Sequence, residues 1–172
     1  MGAKPVVLVL PERRQTMKQH RDIFSIIHYG TNEEYFEAIA DADFNIVKHG
    51  QNLLQESIAC NKPDIAADLI KRGIDLNFQD GKAMTALHYC AIYGALSTAL
   101  QLIQYGVNID IIDNFGNQPL WYAVFKAQGK YDLVKLLVEN GADCGHKNNA
   151  GRSPLDFAKQ INNTELVDLL SQ

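Results

Sequence analysis

The sequence predicts an all-α solenoid of about four to five helix–turn–helix units with short hairpin loops. Two observations predict it. Leu54, Leu87 and Leu120 recur every 33 residues, and Leu155 follows 35 further on. Gly73, Gly106 and Gly141 keep the same spacings of 33 and 35. A unit of that length cannot bury its apolar face alone, so repetition at this period means stacking. The units run roughly 22–46, 47–79, 80–112, 113–147 and 148–172, behind a segment 1–21.

Within a unit each repeated position has a physical task. Thr85, Gln118 and Ser153 stand where a polar side chain caps a helix, and Gln118 fits that task poorly. Pro119 and Pro154 fall in the first helical turn, where a missing N–H costs nothing. Leu54, Leu87, Leu120 and Leu155 anchor the core between units. Ser57, Cys90, Ala123 and Ala158, three positions on, let neighbouring helices approach. The glycines end the second helix at positive φ. Ala83 replaces the glycine expected in its hairpin, which predicts a distorted turn there. Two extra residues within Phe125–Tyr131 predict a longer connection between that unit's helices. A degenerate first unit reads as helices at Ile23–Gly30 and Glu33–Ala40, and Asn162–Leu170 reads as a closing helix with one wet face.

The runs Asp80–Ala91, Asp113–Ala123 and Asn148–Ala158 resemble the ankyrin pattern D-x-x-G-x-T-P-L-H-x-A, and Leu136-Leu137-Val138-Glu139-Asn140-Gly141-Ala142-Asp143 resembles its L-L-x-x-G-A-D. The resemblance covers roughly residues 22–172. It implies a non-catalytic module that holds a protein partner through a concave groove and its hairpin tips. A finer resemblance rests on Gly116–Phe125, the insertion bearing Gly129-Lys130, and Lys147–Leu155. These are similar to bacterial ankyrin proteins encoded beside polymorphic or contact-dependent toxins. That likeness implies an immunity protein neutralising a cognate toxin; the alternative is a regulatory adaptor or inhibitor of an unrelated host protein.

Composition is consistent with this. The 172 residues are 47% hydrophobic and 21% charged, and no apolar run reaches the length of a membrane span. The formal charge of −4 is uneven. Lys4, Arg13, Arg14, Lys18 and Arg21 against Glu12 give the first 21 residues a net of +4, leaving −8 on the rest. An acidic body repels nucleic acid and suits a basic protein, of which a toxin domain is one kind. Cys60, Cys90 and Cys144 are too scattered for a disulfide framework, which points to a cytoplasmic setting. The expectation is therefore a monomer with no membrane, no nucleic acid and no cofactor.

No catalytic residues and no metal ligands are expected, because the five histidines fall in different units and no cysteine pair has ligand spacing. His88 is read as a turn histidine, Cys90 and Cys144 as packing residues, and Trp121 as a contact between units. The candidate binding residues come from the repeat's variable slots. Two beyond the motif leucine lie Glu56, Tyr89, Tyr122 and Phe157; five beyond lie Ala59, Ile92, Phe125 and Gln160. The hairpin tips add Lys82, Met84, Phe115, Asn117 and Arg152. The partner-binding set is thus Tyr89, Tyr122, Phe125, Phe115, Ile92, Met84, Lys82, Asn117, Arg152 and Glu56. Aromatic rows on a groove have the composition of interface cores.

Overall fold

Asp22, Thr31, Asn52, Ser153 and Asn163 each cap a helix start along residues 21–40 and 42–171, the part of the chain that the computed structural model describes. The helices come in pairs: α1 (Ile23–Tyr29) with α2 (Asn32–Ala38), α3 (Leu53–Ala59) with α4 (Pro63–Lys71), α5 (Ala86–Tyr93) with α6 (Leu96–Gln104), α7 (Pro119–Lys126) with α8 (Asp132–Glu139), and α9 (Pro154–Gln160) with α10 (Thr164–Leu170). The expected basic arm lies outside the described residues, apart from exposed Arg21.

Odd-numbered helices pack on one another in one layer, α1 on α3, α3 on α5, α5 on α7 and α7 on α9. Even-numbered helices form the second layer, α2 on α4, α4 on α6 and α6 on α8. This is the stacked all-α architecture. One short ribbon interrupts it among the described residues: β1 (Val47–Lys48) pairs antiparallel with β2 (Gln51–Asn52). The two turn residues His49 and Gly50 both have positive φ, as a tight hairpin that follows strand twist requires.

The motif leucines are the core. Leu54, Leu87 and Leu120 are all but fully buried between the layers, and Ser57, Cys90, Ala123 and Ala158 are buried beside them. Leu155 is the exception, half-buried on α9, which has an inner-layer neighbour, α7, on one side. Gly73, Gly106 and Gly141 follow α4, α6 and α8 at φ +82°, +79° and +89°. In these three units the second helix thus ends where a side chain would be strained.

Two sequence expectations about connections meet different outcomes. The insertion does lengthen the α7–α8 connection, which turns through Gln128 and Gly129, both at positive φ. The hairpin at Ala83 is not distorted. Ala83 adopts φ +60° and donates to Asp80 O at 2.8 Å, as Gly116 donates to Asp113 O at 2.9 Å. Stacking against the next hairpin, through Asn114 N–H to Lys82 O at 3.0 Å, holds the turn in shape, and the alanine carries the strain. Left-handed backbone costs an L-residue about 1–2 kcal/mol, part of which glycine returns through a freer unfolded chain. Ala83→Gly should therefore raise stability by about 0.5–1 kcal/mol in urea denaturation; a loss would show that the alanine methyl is needed for packing.

Candidate functional site

Each hairpin tip is held by one acidic or amide side chain. Asp80 Oδ1 accepts from Lys82 N and Met84 N, both at 2.8 Å. Asp113 Oδ1 accepts from Phe115 N at 2.8 Å and Asn117 N at 2.9 Å. Asn148 Oδ1 does the same for Ala150 N and Arg152 N. The second carboxylate oxygen takes a tyrosine: Tyr89 Oη donates to Asp80 Oδ2 at 2.9 Å, and Tyr122 Oη donates to Asp113 Oδ2 at 2.6 Å. Where Asn148 replaces the aspartate, Phe157 replaces the tyrosine. A row of aromatics at one repeat slot is thus in part a row of braces between tip and helix.

The candidate residues differ in how exposed they are. Tyr89 is only 7% exposed and also bonds Gln51, so it belongs to the hairpin rather than to the groove surface. Tyr122 is half-buried, and burial together with the Asp113 hydrogen bond pushes its phenol up to about 12. Asn117 is buried, bonded to Asp113, Tyr122 and Asn148. Its slot faces the neighbouring unit because the hairpins stack. Met84, Ile92 and Glu56 are half-buried. Lys82 and Arg152 are exposed at the tips, Phe115 is 61% exposed, and Phe125 is 52% exposed.

The exposed aromatics line the inner layer from tip to far end. Phe115 sits on the hairpin that leads into α7, and Phe125 lies near the opposite end of that helix. Phe125 contacts Phe157 with ring centroids 5.5 Å apart, and Trp121 meets the same Phe157 at 5.8 Å. Trp121 therefore makes the contact between units that its position suggests. Lys126 Nζ lies 5.7 Å from the Phe125 ring centroid. Slots two and five beyond the leucine omit slot six, and with it Tyr93, which is 56% exposed. Tyr93 and Ile92 border a cleft of about 370 Å³ that also takes in Lys126, Gln128 and Lys130 from the inserted connection.

Below the tips the units are joined by a second repeated device. His88 Nδ1 accepts from Thr85 N at 3.0 Å, while Nε2 reaches Asn117 O of the next hairpin at 3.0 Å. The histidine thus caps its own helix and also ties it to the next unit, which the turn reading alone missed. Gln55 does both tasks one unit earlier, accepting from Asn52 N at 3.0 Å and donating to Met84 O at 2.8 Å. In the following unit Trp121 has no such reach. There Gln118 makes no cap bond, its Oε1 is buried without a partner among the described residues, and His146 Nε2 bonds Gly116 O at 2.9 Å instead.

Three titratable groups that the sequence reading did not bring together meet between the first two units. His28 Nδ1 is 2.7 Å from Glu56 Oε1 and 3.4 Å from Cys60 Sγ. The signal was present, because His28 and Cys60 are 32 residues apart, close to one repeat period, and stacking superimposes residues at that separation. Burial and the neighbouring Glu56 push the Cys60 thiol up to about 11, so it is protonated at neutral pH and is no activated nucleophile. Burial likewise raises the thiols of Cys90 and Cys144.

Comparison with known proteins agrees with this geometry. A family model described as ankyrin repeats, in three copies, matches residues 54–148. An ankyrin repeat protein of fowlpox virus is 32% identical over 114 residues, covering 66% of this chain and 16% of the viral protein. A palmitoyltransferase of Candida glabrata is 30% identical over 122 residues, covering 68% of this chain and 16% of its own length. An ankyrin repeat protein of Acanthamoeba polyphaga mimivirus is 38% identical over 74 residues, 43% of this chain and 10% of that protein. The chain thus spans about a sixth or less of the length of these curated relatives, and the activity in the fungal name is said of that longer protein. Among the described residues no helix is long and apolar enough to cross a membrane. The matched residues 54–148 are more than half of the 172-residue chain, and the chain belongs to the ankyrin-repeat family.

Proposed function

We propose that this chain is a non-catalytic protein-binding module, whose contact surface runs from the hairpin tips along the inner helix layer. The observation that carries this is the exposure of Phe115, Tyr93 and Phe125, large aromatics left in solvent along the layer that buries Leu54, Leu87 and Leu120. Exposed aromatics cost solubility and are the usual anchors of an interface. Lys82 and Arg152 at the tips and Lys126 beside Phe125 supply a polar rim. Tyr122 contributes by bracing the tip that presents Phe115.

Affinity capture from the source cell, followed by binding measurements on the purified partner, tests this. Phe115→Ala and Phe125→Ala should each weaken binding by about 2 kcal/mol, roughly thirtyfold. Their circular dichroism should match the parent, because neither side chain is in the core. A partner bound equally well by the double variant would place the interface elsewhere.

A finer reading is that the partner is a basic toxin domain and this chain its immunity protein. It is supported by the resemblance of the hairpins at Gly116–Phe125 and Lys147–Leu155 to that group, and by the −8 carried by residues beyond the first 21. The relatives named above are viral and fungal, and their names speak of no toxin. A toxin gene directly upstream would favour immunity; its absence would favour a regulatory adaptor or inhibitor in the cytoplasm.

A further inference from the structure

Between the first two units lies a cluster that the exposed aromatics named above do not reach, and of its residues only Glu56 belongs to the candidate binding set. His28 is the last residue but one of α1, Glu56 is on α3, and Cys60 caps the end of α3. Glu56 and Cys60 are four residues apart and so share one helix face, and α1 packs against that helix. Their donor atoms converge. His28 Nδ1 to Glu56 Oε1 is 2.7 Å, His28 Nδ1 to Cys60 Sγ is 3.4 Å, and Cys60 Sγ to Glu56 Oε1 is 3.5 Å.

We propose that His28, Glu56 and Cys60 form a binding site for a divalent transition-metal ion of the zinc class, bridging the first two units. Zinc bound to one thiolate, one imidazole and one carboxylate has bonds of about 2.3 Å to sulfur and about 2.0–2.2 Å to nitrogen and oxygen. In a tetrahedron those lengths set the donors about 3.3–3.6 Å apart. Both sulfur distances already fall in that range. The nitrogen–oxygen pair, now hydrogen-bonded at 2.7 Å, opens by about 0.6 Å when the ion takes the place of the hydrogen between them. Borderline-soft zinc suits this mixed N, S and O set; magnesium and calcium, which prefer oxygen donors, do not.

The surroundings fit a site with an open position. The His28 side chain is 50% exposed while that of Glu56 is 15% exposed, so the cluster is closed beneath and open toward solvent. Three protein donors leave the fourth place to water or to a donor from outside the chain. Binding displaces the thiol proton to bulk buffer, moves the Nδ1 proton to Nε2 by exchange with water so that the imidazole is neutral, and uses the carboxylate as it stands. Two donors from α3 and its C-cap and one from α1 make the ion a further cross-link between units that are also joined by packing and by hydrogen bonds such as Tyr35 Oη to Asp68 Oδ2 and Lys62 Nζ to Gly30 O. The site stands independently of the protein-binding reading.

Cobalt(II) and zinc(II) titrations of the full chain, reduced with a phosphine, test it. Cobalt should bind at one equivalent, with tetrahedral bands in the visible and a thiolate-to-cobalt charge-transfer band in the near ultraviolet, and zinc should displace it. Zinc in excess should raise Tm by several degrees, because it binds the folded chain alone. Cys60→Ser should abolish the charge-transfer band while Cys144→Ser keeps it. His28→Ala, at an exposed position that leaves folding intact by circular dichroism, should weaken cobalt binding at least ten- to a hundredfold, the loss typical of supporting residues around a metal. Absence of the band in the parent chain, its persistence in Cys60→Ser, or unchanged affinity in His28→Ala would each overturn the proposal.

Discussion

Leu120→Ala should lower stability by about 2–5 kcal/mol, the range measured when a buried leucine is cut to alanine. Leu120 is 1% exposed on α7, which packs against α5 on one side and α9 on the other. The cavity therefore opens at two inter-unit contacts at once, and neither neighbour can collapse into it without leaving its own register. At about 2–4 °C per kcal/mol for a chain of this size, Tm should fall by roughly 10 °C. Thermal and urea unfolding followed by circular dichroism give both numbers. A parent-like Tm would mean that the 33-residue register drawn through Leu54, Leu87 and Leu120 is wrong. Leu155→Ala is the internal comparison: its half-buried side chain in the last unit should cost clearly less.

His88→Ala should be about as damaging, at roughly 3–5 kcal/mol. The side chain is fully buried, and its removal takes the acceptor from Thr85 N–H and one of two donors from Asn117 C=O, which keeps Asp113 N–H at 2.9 Å. The orphaned N–H costs about 1–3 kcal/mol, to which the lost bond between units and a void are added. His88→Gln should retain most of the stability, because Gln55 makes the equivalent pair of bonds in the preceding unit. Equal losses in the two variants would show that ring volume, not the bridge, is what the site requires.

The same residue sets an acid limit. Burial holds the His88 pKa below its ordinary 6.5, against weaker opposing contributions from the Asn117 carbonyl, Asp113 and Asp80. Nδ1 must stay unprotonated to accept from Thr85 N–H. Below about pH 6.5 the unfolded chain takes up a proton that the folded chain refuses, so stability falls as pH drops from there toward the lower folded value. Above that window the group contributes no slope. The slope can reach about 1.4 kcal/mol per pH unit, and it should vanish in His88→Gln. Urea midpoints measured between pH 5 and 8 read it directly.

Local chemistry and periodicity determined the solenoid. A leucine that must be buried every 33 residues, a cap before it and a glycine after the second helix leave little choice of architecture, so the helix pairs, the degenerate first unit and the longer α7–α8 connection were legible in the residues themselves. What a side chain does after its backbone is placed was legible only where neighbours lie within the unit. Tyr89 and Phe125 read alike, as aromatics in variable slots, yet one is spent bracing Asp80 and the other stands in solvent. Ala83 read as a defect, yet stacking holds it at φ +60°. His28 meets Glu56 and Cys60 across about one repeat period, so the signal lay in the stacking separation and not in the pattern of any one helix. Burial and partnership across units depend on the distance between hairpins and between inner helices, a quantity set by the packed stack as a whole.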